Sequence, residues 1–256
     1  LSTAARCRAK EGVSTDHPVS VEEGAMANEP QRYPHNDVTR RRTLLGLSAC
    51  ATTVLVPSAT LAQAARCVLT QDAGEGPFYF DPKLLRSDVT DGAVGAPLQV
   101  AIRVTRTGDC APLAEARLDL WQADGLGLYS GYANQRGVGE RVDVVDRTYL
   151  RGTQIADADG WVRFKTIFPS WYGGRTPHIH FKVLLGGREV VASQIFFPDE
   201  VAAEVFRNWD PYRRYVDRRT VFNHNDPIPG SVLCEVQENR PTGLSATVTV
   251  AVDPRA

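Results

Sequence analysis

Apolar and polar positions alternate with period two in several separate runs along the C-terminal three quarters of the chain. Leu98, Val100, Ile102 and Val104 form one run, closed by Thr107-Gly108-Asp109. Leu118 and Leu120 alternate with Arg117 and Asp119, and Val162 and Phe164 follow the turn Asp157-Ala158-Asp159-Gly160. Leu244, Ala246, Val248, Val250 and Val252 alternate at the C-terminus. Side chains two apart on an extended chain share a face, so each run predicts a half-buried strand. One segment, Pro198 to Trp209, has a helical pattern, with Val201, Val205 and Phe206 on one side. Many short strands, long loops between them and one short helix predict a mainly β chain, a β-sandwich of mostly antiparallel strands. No internal repeat interrupts it.

The first 64 residues follow a different rule. Residues 1–38 are polar and aperiodic, and the single methionine, Met26, leaves the translation start open. Arg40-Arg41-Arg42-Thr43-Leu44-Leu45 then feeds an apolar, small-residue stretch to Leu61, and Ala62-Gln63-Ala64 is a small-x-small cleavage pattern. A charged region, an apolar region and a cleavage site in that order predict a signal peptide, and the paired Arg before Thr-Leu-Leu resembles a twin-arginine signal. Residues 1–64 are thus expected to be an extension and signal, and residues 65–256 the β-sandwich domain of an exported protein. A membrane-spanning helix is the competing reading, disfavoured by Pro57 and the many Ala, Ser and Thr. Leu47-Ser48-Ala49-Cys50 offers a lipidation site as a further alternative. Beyond the signal stand Cys67, Cys110 and Cys234; an oxidising compartment permits one disulfide among them, and which two pair is left open. A net charge of −1 provides no bulk attraction for nucleic acid or an anionic membrane.

The densest chemical signal is Pro177-His178-Ile179-His180-Phe181-Lys182-Val183. On a strand His178 and His180 project together while Ile179, Phe181 and Val183 face a core, so the pair reads either as half of a metal site or as a surface His pair on a sheet. The second half has several candidates. Glu189 stands at an awkward distance for a cupin-type site, and His224 lies far along, in Asn223-His224-Asn225-Asp226-Pro227. Tyr172 sits in the turn that leads into the His strand, and a phenolate oxygen is a hard donor suited to iron(III). A tyrosine packed at a strand end is the plain alternative. No catalytic Ser or Cys elbow and no H-E-x-x-H motif is present.

These residues lie within a wider pattern. Phe164-Lys165-Thr166-Ile167, Trp171-Tyr172, Gly174-Arg175 and His178-Ile179-His180-Phe181 resemble the metal-site stretch of the intradiol ring-cleavage dioxygenases. Leu120-Trp121-Gln122-Ala123-Asp124 with Gly127-Leu128-Tyr129 is similar to the segment that supplies their first tyrosinate. Glu75-Gly76-Pro77-Phe78-Tyr79 resembles their N-terminal signature, and Ser193-Gln194-Ile195-Phe196-Phe197-Pro198 the strand after the His pair. The resemblance runs from about Cys67 to the C-terminus. It implies a non-haem Fe(3+) cofactor held by Tyr129, Tyr172, His178 and His180, with Tyr132 competing with Tyr129 for the first phenolate. It implies that Tyr172 leaves the metal when a catechol chelates and takes a substrate proton. Arg175 would stabilise the ketonised, carbanion-like ring, and Gln194 would stand close behind the substrate or oxygen site. Tyr79, Trp121 and Tyr132 are implied pocket residues, although Trp121 reads equally well as core. The implied partners are a small aromatic diol and dioxygen, with no nucleic acid, no lasting membrane association and an open oligomeric state. The implied product is a cis,cis-muconate-type dicarboxylic acid. The loop from Tyr172 to His178 is shorter than in members acting on soluble aromatic acids, and resembles a smaller-looped, signal-bearing branch.

Two other functions compete. Pro112 to Ala116 and Asp157 to Phe164 also resemble a transthyretin-like β-sandwich binding module, which needs no metal. A zinc site from His178, His180 and His224 is the third. One register test separates roles for Gln194: Gly186-Gly187 predicts a hairpin, and a plain two-residue turn would pair Ile179 with Gln194. Only one extra residue in the hairpin pairs His180 with Gln194 and puts both on one face.

Overall fold

The computed structural model describes residues 67–135, 137–139, 142–228, 231–239 and 243–256. The predicted extension and signal, with Cys50, lie outside the described residues. Among the described residues nine strands form two sheets. β1 (Pro97–Arg106), β4 (Trp161–Ile167), β8 (Glu235–Asn239) and β9 (Gly243–Val252) make one sheet in the order β4-β1-β9-β8. β2 (Arg117–Gln122), β3 (Arg151–Ile155), β5 (His178–Leu185), β6 (Arg188–Phe196) and β7 (Val232–Leu233) make the other, in the order β3-β2-β5-β6-β7. Pairing is antiparallel except for β1 with β9 and β6 with β7.

The alternation read from sequence is the core of this sandwich. Leu98, Val100, Ile102 and Val104 of β1 face inward beside Val162, Phe164, Ala246, Val248 and Val250, all buried. Leu118, Leu120, Ile179, Phe181, Val183, Val191 and Ile195 supply the facing layer. Each fully buried aliphatic or aromatic side chain contributes about 1.5–3 kcal/mol. The helix is α1 (Asp199–Asn208), with Ala202, Val205 and Phe206 buried, and Asp199 and Glu200 in its first turn, where the helix dipole favours acids. Three single-turn 3-10 segments follow it before β7.

The second sheet is buried on both faces. Residues 178–183 of β5 are all buried, because loops cover the outer side. That outer face carries His178, His180 and Lys182 from β5; β2 places Trp121 opposite His180 and Asp119 opposite Lys182. The hairpin between β5 and β6 turns on Gly186 and Gly187, both at positive φ, with Leu185 opposite Arg188. Leu184 pairs with Glu189 but Val183 pairs with Val191, so Val190 is an extra residue in β6. This bulge brings Gln194 opposite His180.

The cysteine question is answered by proximity. Cys67 and Cys110 form a disulfide, and Cys234 is free and buried. Burial pushes the Cys234 thiol up to about 12. The bridge ties the N-terminal segment, which hydrogen-bonds to Ala251, onto the end of β1 across 43 residues of chain. Cys67→Ser is expected to lower unfolding free energy by about 2–4 kcal/mol. Matching denaturant midpoints for the two proteins would show that the crosslink contributes nothing. Among the described residues no helix is long and apolar enough to cross a membrane.

Candidate active site

Four donor atoms meet on the outer face of the second sheet. His178 Nε2 lies 3.0 Å from His180 Nε2, 3.2 Å from the Tyr129 hydroxyl and 3.5 Å from the Tyr172 hydroxyl. The two imidazoles are there because β5 spaces them two apart. Tyr129 comes from the loop after β2, which doubles back through Asp124: its carboxylate accepts hydrogen bonds from the Leu126 and Leu128 amides. Gln135 closes the same loop, accepting from the Tyr129 amide at 2.6 Å. Tyr172 comes from the turn between β4 and β5.

The protonation pattern suits a cation. His178 Nδ1 donates to the Thr176 carbonyl at 2.7 Å, which leaves Nε2 as the lone-pair nitrogen. Three polar neighbours therefore converge on one lone pair, more than a single acceptor site can satisfy. Burial, with Arg175 nearby, holds His178 down at about 3, and burial together with His178 holds His180 well below the usual imidazole range. Both rings are neutral near pH 7 and free to ligate. Burial raises the Tyr129 phenol, reinforced by Tyr172, and burial raises Tyr172 against an opposing effect of Arg175. Each phenol needs a cation to ionise here. Two donors about 2.1 Å from one ion and roughly at right angles lie about 3.0 Å apart, so the observed separations fit a common metal. Among the described residues no three His, Cys, Asp or Glu side chains gather. His178 and His180 thus lack a third ligand of those types, and His224 instead stacks on Phe222, 6.0 Å between ring centroids. Glu189 pairs with Lys182 at 3.2 Å. The oxygen donors beside the imidazoles are phenols, which suit a hard trivalent ion.

The remaining predicted residues divide by contact. Tyr132 donates its hydroxyl to the Tyr79 carbonyl at 2.7 Å, so its phenol oxygen is engaged away from the imidazoles. Trp121 is no ordinary core residue: its indole stacks on His180 at 5.0 Å, nearly parallel. Tyr79 packs on Trp121, donates to Asp119 at 2.9 Å and lies under the Lys182 ammonium at 3.5 Å. Arg175 is 3.4 Å from the Tyr172 hydroxyl and donates to the Gln194 side-chain carbonyl. The bulge in β6 is what makes that last contact possible.

One support was not legible in sequence, and the segment Glu75–Tyr79, noted in sequence only as a signature, supplies others. The side chain of Asp226 is fully buried and holds Arg175 Nε through both oxygens, at 3.0 and 3.1 Å, while accepting from the Thr176 amide at 2.7 Å. Its only sequence signal is an Asp before Pro227 in an Asn-rich turn. Phe78 stacks on Tyr129 with centroids 4.4 Å apart. Gly76 stands at φ +72 where an added Cβ would lie 3.2 Å from His180 Cε1, so only a residue without a side chain lets this strap approach the ring closely. Glu75 pairs with Lys182, which anchors the strap to β5.

Comparison with known proteins agrees with this geometry. A dioxygenase family profile matches residues 75–208, just over half of the chain and the stretch that carries all four donors. The chain belongs to the intradiol dioxygenase family. This dioxygenase-family chain is 28% identical to a hydroxyquinol 1,2-dioxygenase of Nocardioides simplex, covering 66% of this chain and 55% of that protein. It spans about half the length of the hydroxyquinol 1,2-dioxygenases it matches. An intradiol ring-cleavage dioxygenase from Tetranychus urticae is similar in structure, with 29% identity, a TM-score of 0.66, and coverage of 74% of this chain and 97% of that one. The dioxygenase domain of a dioxygenase–carbohydrate-binding fusion from Streptomyces sp. SirexAA-E is 28% identical, with a TM-score of 0.50 over 73% of this chain and 99% of that one.

Proposed function

We propose that this protein is an iron(III)-dependent intradiol dioxygenase that opens a catechol-type ring between its two hydroxylated carbons and yields a cis,cis-muconate-type dicarboxylic acid. The observation that carries the proposal is the convergence of Tyr129, Tyr172, His178 and His180 on one point. When bound, iron(III) supplies the Lewis acidity and electronic coupling that activate a chelated diol toward dioxygen. The chain's own residues do the rest. Tyr129 is fully buried under Phe78 and is the fixed phenol. Tyr172 is only partly buried, stands beside Arg175, and is the phenol able to move and hold a substrate proton on Oη. The Arg175 guanidinium, locked between Asp226 and Gln194, aims positive charge at negative charge developing on the ring. Trp121, Tyr79 and Phe78 keep water from the imidazoles and phenols. A binding module has no use for this donor set.

The test is a visible spectrum of the iron-loaded protein, before and after adding catechol under nitrogen. A broad phenolate-to-iron(III) charge-transfer band that shifts with catechol is the expected result. A colourless protein with stoichiometric iron would remove Tyr129 and Tyr172 from the ligand set and the function with them. We also propose export by the twin-arginine route, supported by the arginine motif and by the Cys67–Cys110 disulfide, which an oxidising compartment favours. An uncleaved, active cytoplasmic pool would argue against it.

A further inference from the structure

Arg151, at the start of β3, is 1% exposed. Its Nε and Nη2 donate to the Ser130 carbonyl at 3.2 and 2.8 Å, Nε also to the Ser130 hydroxyl at 3.0 Å, and Nη1 to the Phe78 carbonyl at 2.8 Å. The guanidinium lies over the Phe80 ring at 4.2 Å and near the Tyr132 ring at 5.5 Å. None of these partners is a carboxylate. The groups whose charge would stabilise it are the phenols of Tyr132, Tyr129 and Tyr149. A buried cation bonded only to neutral groups is destabilising by itself, and an anion within its field offsets that. Nearby stands Tyr129, the residue before Ser130, whose ring stacks on Phe78. Both backbone groups that Arg151 grips therefore belong to the seat of one phenol.

We propose that Arg151 is a positioning residue for the metal centre: it clamps the Ser130 and Phe78 backbones that seat Tyr129, and its fixed charge stabilises the Tyr129 phenolate. The inference rests on Tyr129 being a ligand. A cation held beside a phenolate lowers the energy of its donor electrons and so raises the energy of a charge-transfer transition out of them. Removing it therefore brings the charge-transfer band to lower energy.

The experiment compares the visible band of iron-loaded wild type, R151Q, R151M and R151K. R151Q keeps an amide that can donate to one of the two carbonyls and loses the charge. The neutral variants should shift the band to longer wavelength by a few nanometres, on the order of what one charge at an effective dielectric near 20 contributes to the difference between the two ends of the transition. R151K keeps the charge and loses the fork. Its amine can be titrated within one folded protein: the band should sit near the wild-type position below the amine's pKa, which burial lowers from the usual lysine range, and move to the red as pH rises through it. The wild-type band should stay put at the pH where the R151K band moves, because a guanidinium holds its proton to higher pH than an amine in the same place. This titration decides the matter even if the neutral variants do not fold. Folded neutral variants with the wild-type band, or an R151K band that keeps the wild-type position from neutral pH to about pH 10, would overturn the proposal while leaving the ligand set intact. A colourless wild type would overturn the ligand set, and this proposal with it.

Discussion

Tyr129→Phe is expected to abolish the charge-transfer contribution of the buried phenolate and to lower ring-cleavage turnover by about 10³-fold or more, beyond the 10–100-fold typical of losing a group that merely orients a ligand. The substitution removes one oxygen, the atom 3.2 Å from His178 Nε2, and leaves the ring stacked on Phe78. Without metal that oxygen is a buried hydroxyl in a crowded polar cluster, so its loss costs the fold little; replacing it with an apolar edge changes unfolding free energy by about 1 kcal/mol or less. Stability is retained while metal chemistry is lost, which separates this outcome from simple unfolding. Tyr132→Phe is the control. It deletes a hydrogen bond to the Tyr79 carbonyl, worth about 1 kcal/mol, and should leave the band in place. If Tyr129→Phe stays coloured and active while Tyr132→Phe does not, the assignment of the two tyrosines is reversed.

Asp226→Asn should reduce kcat by about 10²–10³-fold with the band of the iron-loaded protein retained. The carboxylate of Asp226 accepts from Arg175 Nε with both oxygens, from the Thr176 amide and from the Ile228 amide, and its side chain is wholly buried. An asparagine of the same shape has one acceptor atom instead of two and no charge. Arg175, only 11% exposed, then keeps a buried cation without its counter-ion, a change that costs about 3–5 kcal/mol when one partner of such a pair is removed. Part of that cost appears as lower stability. The remainder appears as a guanidinium that no longer points steadily between Tyr172 and Gln194. None of the four donors is touched, so the spectrum should persist. An Asp226→Asn enzyme with unchanged kcat would mean that Arg175 is held by Gln194 alone or does not act on the ring.

Two features of the architecture make these effects local. The sheet that carries the imidazoles is covered on its outer side by the strap from Gly74 to Phe80 and by the loops around Tyr129 and Tyr172. The strap is fixed by Ala73 and Gly74 amides to the Ala192 carbonyl and by Glu75 to Lys182. The imidazoles thus sit on a strand, β5, while both phenols sit on loops. The contrast between buried Tyr129 and half-buried Tyr172 follows from where their loops run.

What the sequence determined by itself is what depends on near neighbours along the chain. Period-two alternation marks β1, β4 and β9 because a strand's two faces meet different surroundings, and His-x-His marks a shared face for the same reason. The helix at residues 199–208 and the turn at Gly186-Gly187 are likewise local. What only the tertiary structure decided involves partners far apart in the chain. Cys67 with Cys110, Arg175 with Asp226 and Arg151 with Phe78 are separated by 43, 51 and 73 positions. Tyr129 and Tyr132 have the same side chain three residues apart, and only the fold turns one hydroxyl toward His178 and the other toward the Tyr79 carbonyl. Gln194 joined Arg175 because one extra residue, Val190, shifted the register of β6. A strand's pattern is written in its own side chains. The pairing of a buried charge, a thiol or a phenol is set by which surfaces the packed sheets and loops bring together.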